Sequence, residues 1–287
     1  MADMAVRPAG SLDRPFAFDA DDFARVRALI HQRAGISLAD HKRDMVYSRL
    51  VRLVRAGGHE HFAGYLDALE YGDGEDWQAF INALTTNLTS FFREAYHFET
   101  LATQLREASA RAGGAPLRIW CAAASTGEEP WSLAITACEA FGTLAPPVRI
   151  LATDIDTNVL ETAERGVYTL DRISGLSDAR RQAFFQRGTG PNAGMCRMRT
   201  ELQQLVEFRP LNLLDRDYGI GPGLTAIFCR NVMIYFDKPT QYRLLQRMMP
   251  LLARDGLFYA GHSESFNHAG DLVVGCGRTV FRARTSR

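Results

Sequence analysis

"AAASTGEEPW" (Ala122–Trp131) lies between two apolar runs, "LRIWC" (Leu117–Cys121) and "WSLAITACEAF" (Trp131–Phe141). The first run is short, β-branched and aromatic, and reads as a buried strand; the second reads as a helix. A loop that only reversed the chain would need a glycine and a helix cap. This one carries small residues that let a ligand approach the backbone, and two adjacent acids, Glu128 and Glu129, in the opening helical turn. Two readings stand side by side: Ser125 or Thr126 caps the helix while the acids complement its dipole, or the loop holds a ligand at a helix N-terminus.

Downstream, strands and helices alternate. "VRILATDID" follows as a strand, "NVLETAERG" as a helix, then "AIFCRNVMIYF", the helix "KPTQYRLLQRMMPLLARDG", "LFYAGHS" and the final "RTVFRAR". Such alternation implies βαβ units and a parallel sheet. Between Val167 and Val206 it gives way to a polar stretch rich in Gly, Arg and Gln, read as an inserted subdomain. Upstream, the first ninety residues read as helices. Phe23, Val26, Leu29 and Ile30 recur at helical spacing, as do Val46, Leu50, Leu53 and Val54, and Trp77, Phe80, Ile81 and Leu84. The expected division is a tail over 1–18, a helical domain over 19–90 and an α/β domain over 91–287 with an insertion at about 167–206. The 287 residues suit two domains at about 150 residues each.

Composition narrows the function. Thirty-three basic residues balance thirty-three acidic ones, against the basic surplus that a nucleic-acid backbone rewards. The start, "MADMAVRPAG", lacks the apolar core of a signal peptide, and no apolar run reaches the length of a membrane span, so a cytoplasmic protein is expected. Five scattered cysteines with no C-x-x-C pair read as reduced, mostly buried thiols rather than a disulfide framework. No metal site is expected. His262 and the pair His59 and His61 read as loop histidines, with no partners at zinc spacing.

In an open parallel sheet, ligands bind beyond the carboxyl ends of the strands. Asp154, ending "ATD", is placed there for the two hydroxyls of a ribose. The loop lacks G-x-G-x-x-G and the P-loop lysine, and its two acids would repel a pyrophosphate while suiting an ammonium or sulfonium. S-adenosylmethionine combines a ribose with both cations and no phosphate.

The blocks "NLTSFFRE", "RIWCAAASTGEEPWSLA", "LATDID", "LNLLDRDY", "AIFCRNVMIYFDKPTQ" and "LLARDGLFYAGHSES", in that order, resemble the CheR-type chemotaxis receptor methyltransferases. The likeness runs from about residue 21 to residue 283 and includes "RAGISLADHKRDMVYSRLVRLVRAGG". It implies a Rossmann-like α/β methyltransferase domain with an inserted small β-subdomain, preceded by a helical N-terminal domain. The implied activity is transfer of a methyl group from S-adenosylmethionine to receptor glutamates, leaving S-adenosylhomocysteine. The implied cofactor contacts are Asn87, Thr89, Arg93, Glu129, Asp154, Asn212, Leu213, Arg230 and Asn231. Within these, Asp154 would take the ribose, Glu129 the ammonium, and Arg93 a carboxylate of cofactor or substrate. Arg93 and Tyr235 would line the methyl-transfer position, Tyr235 being otherwise a core aromatic at a strand end.

A glutamate carboxylate, with a pKa near 4.3, is already ionised at neutral pH, so its attack on a sulfonium methyl calls for alignment rather than a base. Arg49, Arg52 and Arg55 recur every third residue, as a basic strip for an acidic receptor helix or as a solvated face. "GTGPNAG", with Gly188, Gly190 and Gly194, resembles the turn with which family members hold a receptor's C-terminal pentapeptide. The expected partners are therefore cytoplasmic signalling helices of membrane chemoreceptors, with no nucleic acid and no membrane insertion, engaged by a monomer recruited to receptor arrays. Two other readings remain: a methyltransferase for amines or nucleic acid, although "NVMIY" replaces the Pro-Pro-aromatic pattern of amino-group enzymes, and a cofactor-binding sensor without turnover.

Overall fold

A computed structural model describes residues 15–72 and 74–284. These form two compact units: one from the described residues up to Ile30 together with Leu38–Leu84, the other from His31–Ser37 with the described residues from Thr85 onward. The main boundary thus falls at Leu84/Thr85, before the 90/91 position read from the sequence. α4 ends at Leu84, and "TTN" (residues 85–87) continues as irregular chain. The expected tail falls mostly outside the described residues.

The smaller unit is helical. α1 (Ala20–Ala34), which belongs to it as far as Ile30, opens on Asp21 and Asp22, α2 (Arg43–Ala56) stops at Gly57, and α3 (Phe62–Tyr71) and α4 (Gly74–Leu84) complete it. Val26, Ile30, Val46, Leu50, Val54, Phe62, Leu66 and Phe80 are wholly buried, which fits the helical spacing of these apolar residues. α3 is absent from the sequence reading. Its ten residues contain Gly64 and are shorter than the window over which periodicity separates a helix from a loop. The imidazole of His61 caps it by accepting the N–H of Gly64 at 2.9 Å.

The larger unit is built on a seven-stranded sheet. Its strands are β1 (Leu117–Cys121), β2 (Val148–Asp154), β6 (Val206–Pro210), β7 (Leu224–Phe228), β8 (Leu252–Tyr259), β9 (Val273–Gly277) and β10 (Val280–Ala283). The order is β6-β2-β1-β7-β8-β10-β9, with β10 antiparallel to both β8 and β9 and the other pairings parallel. On one face, α5 (Tyr96–Arg111) and α6 (Glu128–Phe141) bury Phe98, Leu101, Trp131 and Ile135 against Ile119, Ile150 and Ala152. On the other, Leu244, Leu245 and Met248 of α10 (Lys238–Met248) pack with Trp120, Ile227 and Phe258. Burial on both faces explains the nearly continuous apolar strands. α5 also escaped the sequence reading, its apolar stripe of Phe98, Leu101 and Leu105 being narrow.

The insertion is a separate three-stranded antiparallel sheet, with β5 (Met195–Met198) between β3 (Val167–Thr169) and β4 (Phe185–Arg187). It follows α7 (Thr157–Arg165), includes the short α8 (Asp178–Phe184), and ends before Val206, which already belongs to the large sheet. The one-turn α9 (Thr200–Gln203) leads into that strand.

Candidate cofactor and methyl-transfer site

The parallel strands deliver three loops to their carboxyl ends. After β1, Ala122 N–H bonds Phe228 O and Ala124 N–H bonds Thr153 O, at 2.8 and 2.9 Å, so neighbouring strands hold the loop. Ser125 then takes φ 50°, and its N–H donates to Asp154 Oδ2 at 2.8 Å while its hydroxyl donates to Asn87 O at 3.2 Å. Asp154 Oδ1 accepts the N–H of Asp156 at 3.0 Å. Burial pushes the Asp154 carboxyl up to about 6 against these bonds. Gly127, at φ 97°, is held under the subdomain: a Cβ there would stand 2.7 Å from the Tyr168 hydroxyl and 2.8 Å from Ala163 Cα.

The two acids of the opening loop separate in the structure. Glu128 is sealed, its side chain 0% exposed, and pairs with Arg172 and with the Thr126 hydroxyl. Glu129 keeps 11% side-chain exposure, with Oε2 2.6 Å from Arg230 Nη1 and Oε1 accepting the Cys121 thiol at 3.3 Å. Burial pushes the Glu129 carboxyl upward, against the pull of Arg230. Of the pair, only Glu129 combines solvent access with a free share of its acceptor capacity.

Arg230, which follows β7, is 4% exposed. Besides Glu129 it reaches Glu94 Oε2 at 3.4 Å and donates to Arg93 O at 2.5 Å. It therefore ties the 92–94 turn, where Phe92 and Glu94 take φ 53° and 58°, to the first loop. Asn231 is also at positive φ, 58°. With Ser125, four of the five non-glycine residues at positive φ among the described residues belong to these loops. Backbone strain of this kind collects at functional sites, where the surroundings must hold it.

Glu94 is the hub that the sequence reading missed, although it closes the quoted "NLTSFFRE". Its Oε1 meets His262 Nδ1 at 2.8 Å and accepts from the Asn231 amide at 3.3 Å; its Oε2 accepts from the Tyr96 hydroxyl at 3.1 Å. Burial would raise its pKa, but the bonds from His262 and the charge of Arg230 outweigh that and hold it down at about 2. His97 is fully buried beside it, and burial together with Arg230 pushes that imidazole down to about 4, so it is neutral at physiological pH. Glu264, in "GHSES", accepts the N–H of Met233 at 2.8 Å and that of Gly261, bracing the turn that carries Tyr235.

The remaining sequence-selected residues fall as follows. Asn87 donates to Asp156 Oδ2 at 2.8 Å, and Thr89 is half-buried on the same segment. Arg93 is half-buried, with Nη1 bonded to Leu88 O at 2.8 Å. Asn212 donates to Arg33 O at 2.7 Å and accepts Leu214 N–H, while Leu213 is buried. Tyr235 lies in a 3-10 turn, Met233–Tyr235, after the strand rather than at its end, and is half-buried. In the smaller unit, Arg52 and Arg55 are exposed, whereas Arg49 is half-buried and donates to Leu84 O at 3.0 Å. Gly188, Gly190 and Gly194 form the tip between β4 and β5, where a Cβ on Gly188 would strike the backbone oxygen of Asn192.

Aligned strand ends, a cap of small residues and a buried acid with lone pairs left over fit a ribose-bearing cationic cofactor, and with the Rossmann-like sheet they define an S-adenosylmethionine-dependent methyltransferase. The family profile described as "CheR methyltransferase, SAM binding domain" matches residues 87–280, and that described as "CheR methyltransferase, all-alpha domain" matches 21–85. The chain is 54% identical over 269 residues to chemotaxis protein methyltransferase 2 of Pseudomonas aeruginosa, covering 94% of this chain and 95% of that one. It is 51% identical over 260 residues to the chemotaxis protein methyltransferase of Escherichia coli, covering 90% and 89%. The chain belongs to the CheR family of chemotaxis methyltransferases, with S-adenosylmethionine as its cofactor. No helix among the described residues is long and apolar enough to cross a membrane.

Proposed function

We propose that this protein methylates glutamate side chains on the cytoplasmic signalling helices of membrane chemoreceptors, forming the methyl esters of sensory adaptation. The observation that carries this is the 92–94 turn. Arg230 clamps its backbone, Glu94 is committed to four partners, and a half-buried cation, Arg93, is anchored at one nitrogen only among its described bonds. Such a cation suits a carboxylate.

Bound S-adenosylmethionine supplies an electrophilic methyl group. Asp154 takes the ribose hydroxyls, Glu129 the ammonium, and Asn87, Thr89, Asn212, Leu213 and Asn231 line the rest, with Arg230 acting through Glu129. Arg93 and Tyr235 orient the reacting groups. The acceptor glutamate arrives ionised, so none of these residues has to remove a proton.

Docking has two parts in this reading. Arg52 and Arg55, with Arg49 at their end, meet an acidic receptor helix and raise the encounter rate. The outer edge of β4, next to the Gly188–Gly194 tip, accepts a receptor's C-terminal pentapeptide as an added strand, which raises effective concentration. The protein works as a cytoplasmic monomer recruited to receptor arrays.

The test is incubation of the purified protein with receptor-containing membranes and methyl-labelled S-adenosylmethionine. Release of protein-bound label as methanol in mild base supports carboxyl methylation. Base-stable label would replace it with N- or S-methylation, and cofactor binding without label would favour a sensor.

A further inference from the structure

Parallel sheets are ordinarily covered by helices on both faces. Between β6 and β7 this chain runs instead as an irregular segment, 211–223, ending in "GIGPG" (Gly219–Gly223). Its Tyr218 lies over Trp120, with ring centroids 5.1 Å apart, and Ile220 packs in the same cluster. Beside them a cavity of about 430 Å³ is left open, lined by residues of β1, β2, β6 and the two positions before it, by this segment and by Leu224 of β7. That volume falls in the roughly 300–1,000 Å³ range of small-molecule sites.

The side chains on this face follow from register. Arg118 pairs with Arg149 and Trp120 with Leu151; Leu151 in turn pairs with Glu207, and Thr153 with Arg209. Since alternate residues share a face, Arg118, Arg149, Glu207 and Arg209 lie on the side of Trp120, and all four line the cavity. Three guanidinium groups therefore face one carboxylate. None of the three is in an ion pair among the described residues. Arg118 donates to Pro222 O at 2.9 Å, Arg209 to Tyr218 O at 2.9 Å and Arg149 to Val148 O at 3.1 Å. Each of these bonds is to a neutral carbonyl and uses one of the five N–H donors on a guanidinium. Gly219 and Gly221 leave room beside them: a Cβ would stand 3.8 Å from Arg209 Nη1 and 3.9 Å from Arg118 Nη1. Like charges on adjacent strands repel, and that arrangement is relieved by an anion between them. The site is distinct from the proposed methyl-transfer site, since Arg118 and Arg149 lie near the amino ends of β1 and β2, whereas Asp154 closes the carboxyl end of β2.

We propose that this cavity binds a phosphate-bearing small molecule, with Arg118, Arg149 and Arg209 holding the phosphate by guanidinium forks and Leu151, Ile220 and Leu224 walling its organic part. A nucleotide and free pyrophosphate share this chemistry. The protein, saturated with S-adenosylhomocysteine so that the cofactor site is occupied, is titrated calorimetrically at low salt with inorganic pyrophosphate and, separately, with GDP. Saturable one-to-one binding is expected. Arg149→Ala, at an exposed residue that braces no loop, weakens it about ten-fold or more, and Glu207→Gln, which removes the opposing charge, tightens it. Tighter GDP than pyrophosphate assigns a nucleotide; equal affinities assign the phosphate alone. No saturable binding up to about 10 mM, or binding unchanged in both variants, or displacement of the cofactor product by GDP, overturns the proposal.

Discussion

Arg230→Met tests the clamp that unites the loops. The guanidinium is 2.6 Å from Glu129 and 3.4 Å from Glu94, donates to Arg93 O at 2.5 Å, and stands 5.7 Å from the Phe98 ring centroid. Methionine keeps the length and apolar stem, so the loss is mainly electrostatic. It leaves two carboxylates, 9% and 11% exposed at the side chain, without their shared cation. Removing one partner of a buried pair costs about 3–5 kcal/mol. A loss of about 3 kcal/mol at pH 7 is expected here, because both carboxylates can relax towards water or take a proton. Glu94 has its pKa held down at about 2, so its contribution is present above its usual value near 4.5 and is lost as pH falls towards 2. The deficit of the variant should therefore be full at pH 7 and narrow in acid. Urea unfolding of wild type, Arg230→Met, Glu129→Gln and the double variant supplies the cycle, in which the double variant should recover part of the loss. A deficit below about 1 kcal/mol at pH 7, unchanged at pH 4, would refute the clamp.

Burial places the Asp154 carboxyl at about 6, and the ionised form is the better acceptor for ribose hydroxyls, so affinity for S-adenosylhomocysteine should rise from pH 5 to pH 7. Asp154→Asn should cost about 3 kcal/mol in that binding and flatten the profile by calorimetry; unchanged affinity would remove the ribose role. Gly127→Ala, at φ 97° and with its Cβ 2.7 Å from the Tyr168 hydroxyl, should destabilise the fold by about 2 kcal/mol in thermal melts. Arg93→Ala and Tyr235→Phe should lower the methyl-transfer rate by more than they weaken cofactor binding, and equal losses would argue against an orienting role.

The opening loop shows where sequence reasoning stops. Its position between strand and helix, its small residues and the acid ending the next strand were legible because they are local patterns of apolar spacing and residue size. The division of labour between Glu128 and Glu129 was not. Two adjacent acids look alike in sequence, and their difference comes from Arg172 and Arg230, 44 and 101 residues away along the chain. Glu94 was overlooked for the same reason, since His262 lies 168 residues from it.

Alone, the sequence determined the layered α/β class, the helical first domain, the inserted segment and the family, since each is written in periodicity or in contiguous motifs. Tertiary structure alone decided the strand order, the charge network that holds three strained loops together, and the arginine-lined face beneath the segment before β7. Those features depend on which strands lie side by side, and pairing across a sheet brings together residues that no local spacing connects.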